Sequence, residues 1–430
     1  MVSGATAKIE IASVAPTAPA ITEGYKQTDV GVIPEDWVVE KLELFLSFIS
    51  YGFTNPMPTS ADGIYMITAT DIVDGKIQYT NARHTTEHAY KSLLSSKSKP
   101  KRNDILLTKD GTLGRLALVD DNFLCINQSV AVLRPNNRIS PIFLKKLLES
   151  SNYQKTMLDN AGGSTIKHIY ITIVNLMLIA VPESIEEQEA IAGALSDADA
   201  LIESLESLIA KKRNIKQGAM QELLTGTTRL AGFSGEWEQK RLGDLAKEIT
   251  RGASPRPIED PIWFEETSSI GWVRISDITK TGRYLTETTQ RLSPLGLANS
   301  RFVPKGSLIM SICATVGKPI ETMIDVCIHD GFVVFNKINV IQEFLFHTLK
   351  DLEKHWAGKG QTGSQMNLNT DIIKGATILL PQDPKEQAAI ANILSDMDAE
   401  IENLEVKLEK AKQVKQGMMQ ELLTGKIRLI

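Results

Sequence analysis

The side chains able to do covalent chemistry are few, and their spacing argues against an enzyme. The chain holds six histidines, His84, His88, His168, His329, His347 and His355. His84 and His88 stand one helical turn apart, but neither a third ligand nor a catalytic Glu accompanies them as a zinc centre requires, so they read as surface residues. Gly317-Lys318 and Gly358-Lys359 lack the earlier glycine and the following hydroxyl of a phosphate loop. Asp110-Gly111-Thr112-Leu113-Gly114 reads as a tight turn. Cys125, Cys313 and Cys327 form no Cys-x-x-Cys pair, which suits buried thiols in a reducing, cytoplasmic compartment. No metal and no cofactor is expected in this chain.

What remains is recognition by hydrogen bond and charge. Reading duplex DNA takes Arg or Lys for guanine, Asn or Gln for adenine, and cations on phosphate to set register. In the first half the candidates are Lys109, Thr112 and Arg115 on the glycine-rich turn, then Lys167 and His168 within the loop 164–168. Lys97, Lys99, Lys101 and Arg102 form a basic run suited to phosphate, or to a merely solvated loop. In the second half Arg251, Ser254 and Arg256 flank Pro255 in a loop expected to be exposed. Gln361, Gln365, Asn367 and Asn369 lie in a polar stretch matching 164–168.

The elements that must position these residues follow from an internal repeat. Residues 188–230 align without gaps on 387–429, at roughly 60% identity. Lys216-Gln217-Gly218-Ala219-Met220-Gln221-Glu222-Leu223-Leu224-Thr225-Gly226 returns as Lys415-Gln416-Gly417-Met418-Met419-Gln420-Glu421-Leu422-Leu423-Thr424-Gly425. Ser184 with Glu187 predicts a capping box, Asp383-Pro384 with Glu386 repeats it, and the glycines Gly226 and Gly425 end each helix. Ile191, Leu195, Ile202, Leu205 and Ile209 step by fours and threes, as do Ile390, Leu394, Ile401, Leu404 and Leu408. That period predicts an antiparallel coiled-coil seam of about 40 residues, roughly 60 Å long. Gly218 and Gly417 suit the close approach of a partner helix, and inheritance from the duplication explains their pairing equally well; with Gln217, Gln221, Gln416 and Gln420 they are candidates for a duplicated docking surface.

Between the helical segments the likeness is faint but ordered. Trp37 and Trp237, Gly52 and Gly252, and Thr68–Ile72 and Arg274–Ile278 occupy matching places. So do Leu106–Thr108 and Ile309–Ser311. Short β-rich runs with Gly and Pro punctuation predict an α+β chain with pseudo-twofold symmetry. Its parts are a tail at 1–24, globular domains at 25–180 and 231–380, and helical segments at 181–230 and 381–430. Net charge is −5, yet the acid is concentrated in the helical segments. Residues 31–180 carry 16 Lys and Arg against 14 Asp and Glu, and residues 231–380 carry 17 against 17, so each domain is free to present a basic face. No apolar run approaches the ~20 residues of a membrane span.

On these strings the chain resembles the specificity (S) subunit of type I restriction–modification systems, over nearly everything after residue 24. The strings are Tyr25-Lys26-x-Thr28-x-x-Gly31-x-Ile33-Pro34-x-x-Trp37, Pro182 leading to Gln188-x-x-Ile191-Ala192, Pro381 leading to Gln387-x-x-Ile390-Ala391, and the doubled Leu-Leu-Thr-Gly ending. The resemblance implies a non-catalytic DNA-binding chain with two target-recognition domains and a bipartite target. It also implies two DNA-methyltransferase subunits and translocating restriction subunits as partners, with S-adenosylmethionine and ATP bound on those partners. A stand-alone DNA-binding regulator and a coiled-coil adaptor for proteins are the competing readings. If the coiled coil fixes the spacer between half-sites, an insertion after Thr225 should lengthen it.

Overall fold

The computed structural model describes residues 22–120, 123–163, 167–279, 281–356 and 368–429. Two compact units emerge, Met1–Ser204 with Leu408–Ile430, and Leu205–Lys407. Each holds one globular α+β domain and portions of both long helices, Ile185–Leu223 and Pro384–Leu422, of 39 residues each.

In the first unit an antiparallel sheet runs in the order Leu116–Leu118, Ile105–Thr108, Val130–Pro135, Leu46–Tyr51. The apolar run of Ile105–Thr108 is buried throughout because both faces of this sheet are covered. Side chains alternate across the sheet. Ile105, Leu107, Ala131 and Leu133 face Phe143, Leu144, Leu147, Ile191 and Leu195, whereas Leu106, Val130 and Val132 pack with Ile67, Leu124 and Ile126 of a smaller sheet. The second unit repeats the plan. Its main sheet runs Ala246–Arg251, Phe332–Ile338, Leu308–Ser311, Pro319–Thr322, Tyr284–Leu285. Leu308, Met310, Val333 and Phe335 face the helices, and Ile309 and Val334 pack with Ile320, Val326 and Ile328. The matched glycines serve matched crossings. A Cβ on Gly52 would lie 1.8 Å from the Ile126 carbonyl oxygen, and one on Gly252 would lie 2.1 Å from that of His329.

Inside each unit the long helices pack antiparallel. Lys415 pairs with Asp199 at 2.5 Å in the first. In the second, Lys216 pairs with Asp398, Lys212 with Glu400 at 2.6 Å and Arg213 with Glu405 at 2.5 Å. This register corrects the expected seam. Leu195 lies among Met418, Met419, Leu422 and Leu423, outside the expected set, and Leu394 lies among Met220, Leu223 and Leu224. Ile191 and Ile390 anchor the helices to their own domains in the same two cores. Ile209 and Ile401 are buried, but Ile202, Leu205, Leu404 and Leu408 are only half-buried. Gly218 and Gly417 meet no close neighbour: a Cβ on either would find nothing within 4 Å.

The helix starts also differ from the expected capping boxes. Ser184 Oγ does accept from the Glu187 amide at 3.2 Å, but the Glu187 carboxylate turns inward to Arg428. Glu386 turns likewise to Arg229. The next residue is a buried amide in both copies. Gln188 accepts from the Ser140 amide at 2.8 Å and donates to the Pro182 carbonyl at 2.9 Å. Gln387 accepts from the Ile341 amide at 2.9 Å and donates to the Pro381 carbonyl at 2.8 Å. The chain beyond Thr225 is not slack, because Gly226 packs on Trp237 and Arg229 donates to the Gly235 carbonyl at 2.7 Å.

Candidate nucleic-acid interface

In the first domain the glycine-rich turn is locked from beneath. Thr108 Oγ1 donates to the Thr112 carbonyl and accepts from the Arg115 amide at 2.9 Å. Gly111 and Gly114 take φ of 78° and 81°, the left-handed region that favours glycine. The exposed Arg115 donates to the Ile72 carbonyl at 3.1 Å, and Thr112 Oγ1 to that of Ala69 at 3.2 Å. Asp110 gathers the neighbouring charge, with Lys109 Nζ at 2.9 Å and His168 Nδ1 at 2.6 Å. The segment at His168 joins the turn through the Ile169 amide, which donates to the Lys109 carbonyl at 2.9 Å. Lys167 is exposed beside it, and residues 164–166 lie outside the described residues.

Tyr51, at the end of an edge strand, is the aromatic centre of this face. The ammonium groups of Lys97 and Lys109 lie 5.9 and 5.5 Å from its ring centroid. Lys99 instead covers Tyr90 at 4.8 Å. Lys101 and Arg102 are exposed, and the Lys101 amide donates to Asp104 at 2.7 Å. Basic groups around an aromatic ring suit a polyanion carrying stacked bases.

The matching end of the second domain is built from arginine. Arg251 Nε donates to the Asp330 carbonyl at 2.6 Å. The Asp330 carboxylate accepts from Arg256 at 3.1 Å and from Ser254 Oγ at 3.2 Å. Arg301 Nε reaches the Arg251 carbonyl at 3.4 Å, and Arg274 donates to Gln290 Oε1 at 3.2 Å. Burial pushes the His329 pKa down, Asp330 opposes the shift, and the positive fields of Arg274, Arg256 and Arg251 add to it. Three arginines thus converge on one imidazole. Pro255 is buried rather than exposed, so this is a packed corner and not a free loop.

Asn369 has a local role. Its side chain accepts from the Ile372 amide at 2.8 Å and caps the helix Thr370–Gly375, which satisfies an otherwise orphaned helix donor. Gln361, Gln365 and Asn367 lie outside the described residues. Tyr51, Asp110, Arg274, Arg301, His329 and Asp330 were not among the DNA contacts expected from the sequence. Tyr51 and Arg251 each precede a matched glycine, and Arg274 opens a matched string, so the repeat held a signal for these three. Nothing local marks Asp330. Burial raises the thiols of Cys125 and Cys327 to about 12 and about 11, which keeps them protonated and inert. Among the described residues no group of His, Cys, Asp and Glu could hold a metal, and no helix is long and apolar enough to cross a membrane.

Two domains of one framework, each presenting basic groups at the same sheet end, define a recognition protein. Its family follows from comparison. The type I restriction modification DNA specificity domain matches residues 60–212 and 234–413, and the chain belongs to that family of non-catalytic specificity subunits. It is 24% identical to the type I restriction enzyme MjaIX specificity subunit of Methanocaldococcus jannaschii, over 94% of this chain and 96% of the relative. It is 28% identical to the EcoBI specificity subunit of Escherichia coli, over 45% of this chain and 42% of the relative. The crystal structure of the type I restriction–modification S subunit from M. genitalium shares the fold, with TM-score 0.59 at 17% identity over 90% of this chain and 96% of that one.

Proposed function

We propose that this specificity subunit recognises a bipartite duplex target, each domain reading its own half-site, while its helical segments hold two methyltransferase subunits and the restriction subunits that join them. The observation carrying this reading is the contrast at one matched position. Tyr51 with two lysines stands in the first domain, and Arg251 with three further arginines stands in the second. Equivalent frameworks with unlike side chains suit two different half-sites, and duplex DNA presents such sites in opposite senses. Methyl transfer to adenine belongs to the partners, which would bind S-adenosylmethionine and, for translocation, ATP. Exchanging residues 31–180 for those of another such subunit should change one half of the methylated motif and leave the other intact. Methylation mapping in cells carrying the chimera reads this directly, and a change in both halves or in neither refutes it.

The docking surface is duplicated as well. Gln221, Gln416 and Gln420 are exposed, and Gln217 is engaged by Lys354 at 3.0 Å. With space beside both helix glycines where a Cβ would lie, a partner helix could approach this face closely. Changing all four glutamines to Glu should lower the number of methyltransferases recovered per subunit. Two methyltransferases bound at normal affinity would exclude this face.

A further inference from the structure

We propose that Arg251 reads a guanine in the half-site taken by the second domain, with Asp330 as the residue that positions it. This rests on the reading of that domain as a DNA reader and names the base it selects.

Arg251 ends the edge strand Ala246–Arg251 and is exposed. Its Nε is held by the Asp330 carbonyl at 2.6 Å, so the plane of the guanidinium is fixed from the rear. Its two terminal nitrogens make no hydrogen bond among the described residues. That is the state a bidentate contact needs, because guanine offers O6 and N7 as paired acceptors in the major groove and the two terminal amino groups match their spacing. A fork already held in place loses less freedom on binding than a free side chain does.

The surroundings divide the labour. Arg256 gives one terminal nitrogen to the Asp330 carboxylate at 3.1 Å, and Ser254 Oγ braces the same carboxylate at 3.2 Å. Arg274 leans on Gln290 and Arg301 on the Arg251 carbonyl. Among the described residues neither of those two is oriented by a carboxylate of its own, which suits phosphate contact and register. In the first domain the matching residue is Tyr51, whose single hydroxyl cannot make the paired contact. The guanine at this position therefore belongs to one half-site only.

The test uses the complete methyltransferase complex containing the full chain. Methylation mapping of the wild-type complex gives the motif, and the exchange of residues 31–180 assigns its halves. Complexes with Arg251→Ala and Arg251→Lys are then mapped, and their affinities measured on duplexes carrying 7-deazaguanine at each guanine of the second-domain half-site. We expect one guanine whose N7 loss weakens wild-type binding roughly tenfold to hundredfold, and no further loss from that base in Arg251→Ala. Both variants should accept other bases at that one position. The proposal is overturned if that half-site holds no G·C pair, if Arg251→Ala leaves the motif unchanged, or if it weakens all sequences equally while reducing the salt slope by about one, the mark of a phosphate contact. A wild-type complex that methylates without sequence preference would instead overturn the DNA-specificity reading itself.

Discussion

Arg428→Ala will destabilise the first unit by roughly 3–5 kcal/mol, the cost typical of stranding one partner of a buried ion pair. Glu187, at the start of the first long helix, is 2% exposed. Its carboxylate accepts from Arg428 Nε at 2.5 Å and from a terminal nitrogen at 2.8 Å, and no other side chain among the described residues donates to it. Arg428 also grips Asp36 at 2.9 and 2.7 Å. One guanidinium thus joins the end of the chain, the entry to the first domain and the helix that follows it. These carboxylates hold the Arg428 pKa above its ordinary value, and Arg428 holds that of Asp36 below its own. The second unit carries the copy, Arg229 on Glu386 at 2.7 and 2.8 Å. There Trp237 Nε1 gives Glu386 an additional donor at 3.4 Å, so Arg229→Ala should cost less than Arg428→Ala. Adding Glu187→Leu to Arg428→Ala should recover part of the loss, because the stranded charge, not the missing attraction, is the larger cost. Denaturant titration and hydrogen exchange within each unit check these points; a cost below 1 kcal/mol for Arg428→Ala overturns the account.

The helices, their limits and the two-domain plan were legible because each rests on periodicity and caps, which are local. The doubled Leu-Leu-Thr-Gly strings located the matched helix ends, and the glycines Gly52 and Gly252 even located matched positions at the ends of the edge strands. What was not legible depended on which side chain meets which across the fold. Glu187 and Glu386 fit a capping box by spacing, but burial beside an arginine more than 150 residues away in sequence gave each a stronger partner than its own helix start. Leu195 and Leu394 share one pattern, and only the antiparallel register shows that each meets the distal end of the other helix. The stretch after Thr225 reads as the end of a helix, where an insertion should lengthen the spacer. Instead the packing of Gly226 on Trp237 and the grip of Arg229 on Glu386 make it a staple. The base-reading candidates fared unevenly for the same reason. Arg251, Ser254 and Arg256 are gathered by Asp330, a residue no local pattern marks, and Asn369 is engaged by its own helix.

Acidification will weaken the second unit through His347 and leave the first without that effect. His347 takes the place that Lys146 holds in the first domain, as the matched pairs Phe143-Leu144 and Phe344-Leu345 show. Lys146 pairs with Asp199, which also takes Lys415. In the second unit Asp398 takes Lys216, but the domain contributes a fully buried imidazole. His347 Nε2 lies 3.0 Å from Ser395 Oγ, and Nδ1 lies 3.9 Å from the Asp398 carboxylate without a hydrogen bond. Arg283, paired with Glu321 at 3.0 Å, faces it from a third side. Burial first, then the charges of Lys216 and Arg283, hold the His347 pKa down at about 3. Unfolded, the ring titrates at its ordinary value near ~6.5. Between those values the unfolded chain binds a proton that the folded chain refuses. The stability that depends on neutral His347 is therefore fully present above about pH 6.5 and falls by roughly 1.4 kcal/mol for each unit below it. At pH 5 the loss is roughly 2 kcal/mol. The first domain has no imidazole at that place, so its unit lacks this dependence. Hydrogen exchange should show the opening free energy of amides in Leu345–Leu349 dropping by about that amount between pH 7 and pH 5, with those of Leu144–Leu148 unmoved. His347→Gln should remove most of the difference between the two helices and leave the smaller part owed to His329, whose pKa burial also lowers. If the wild-type and the variant lose stability equally on acidification, the buried imidazole is not its origin.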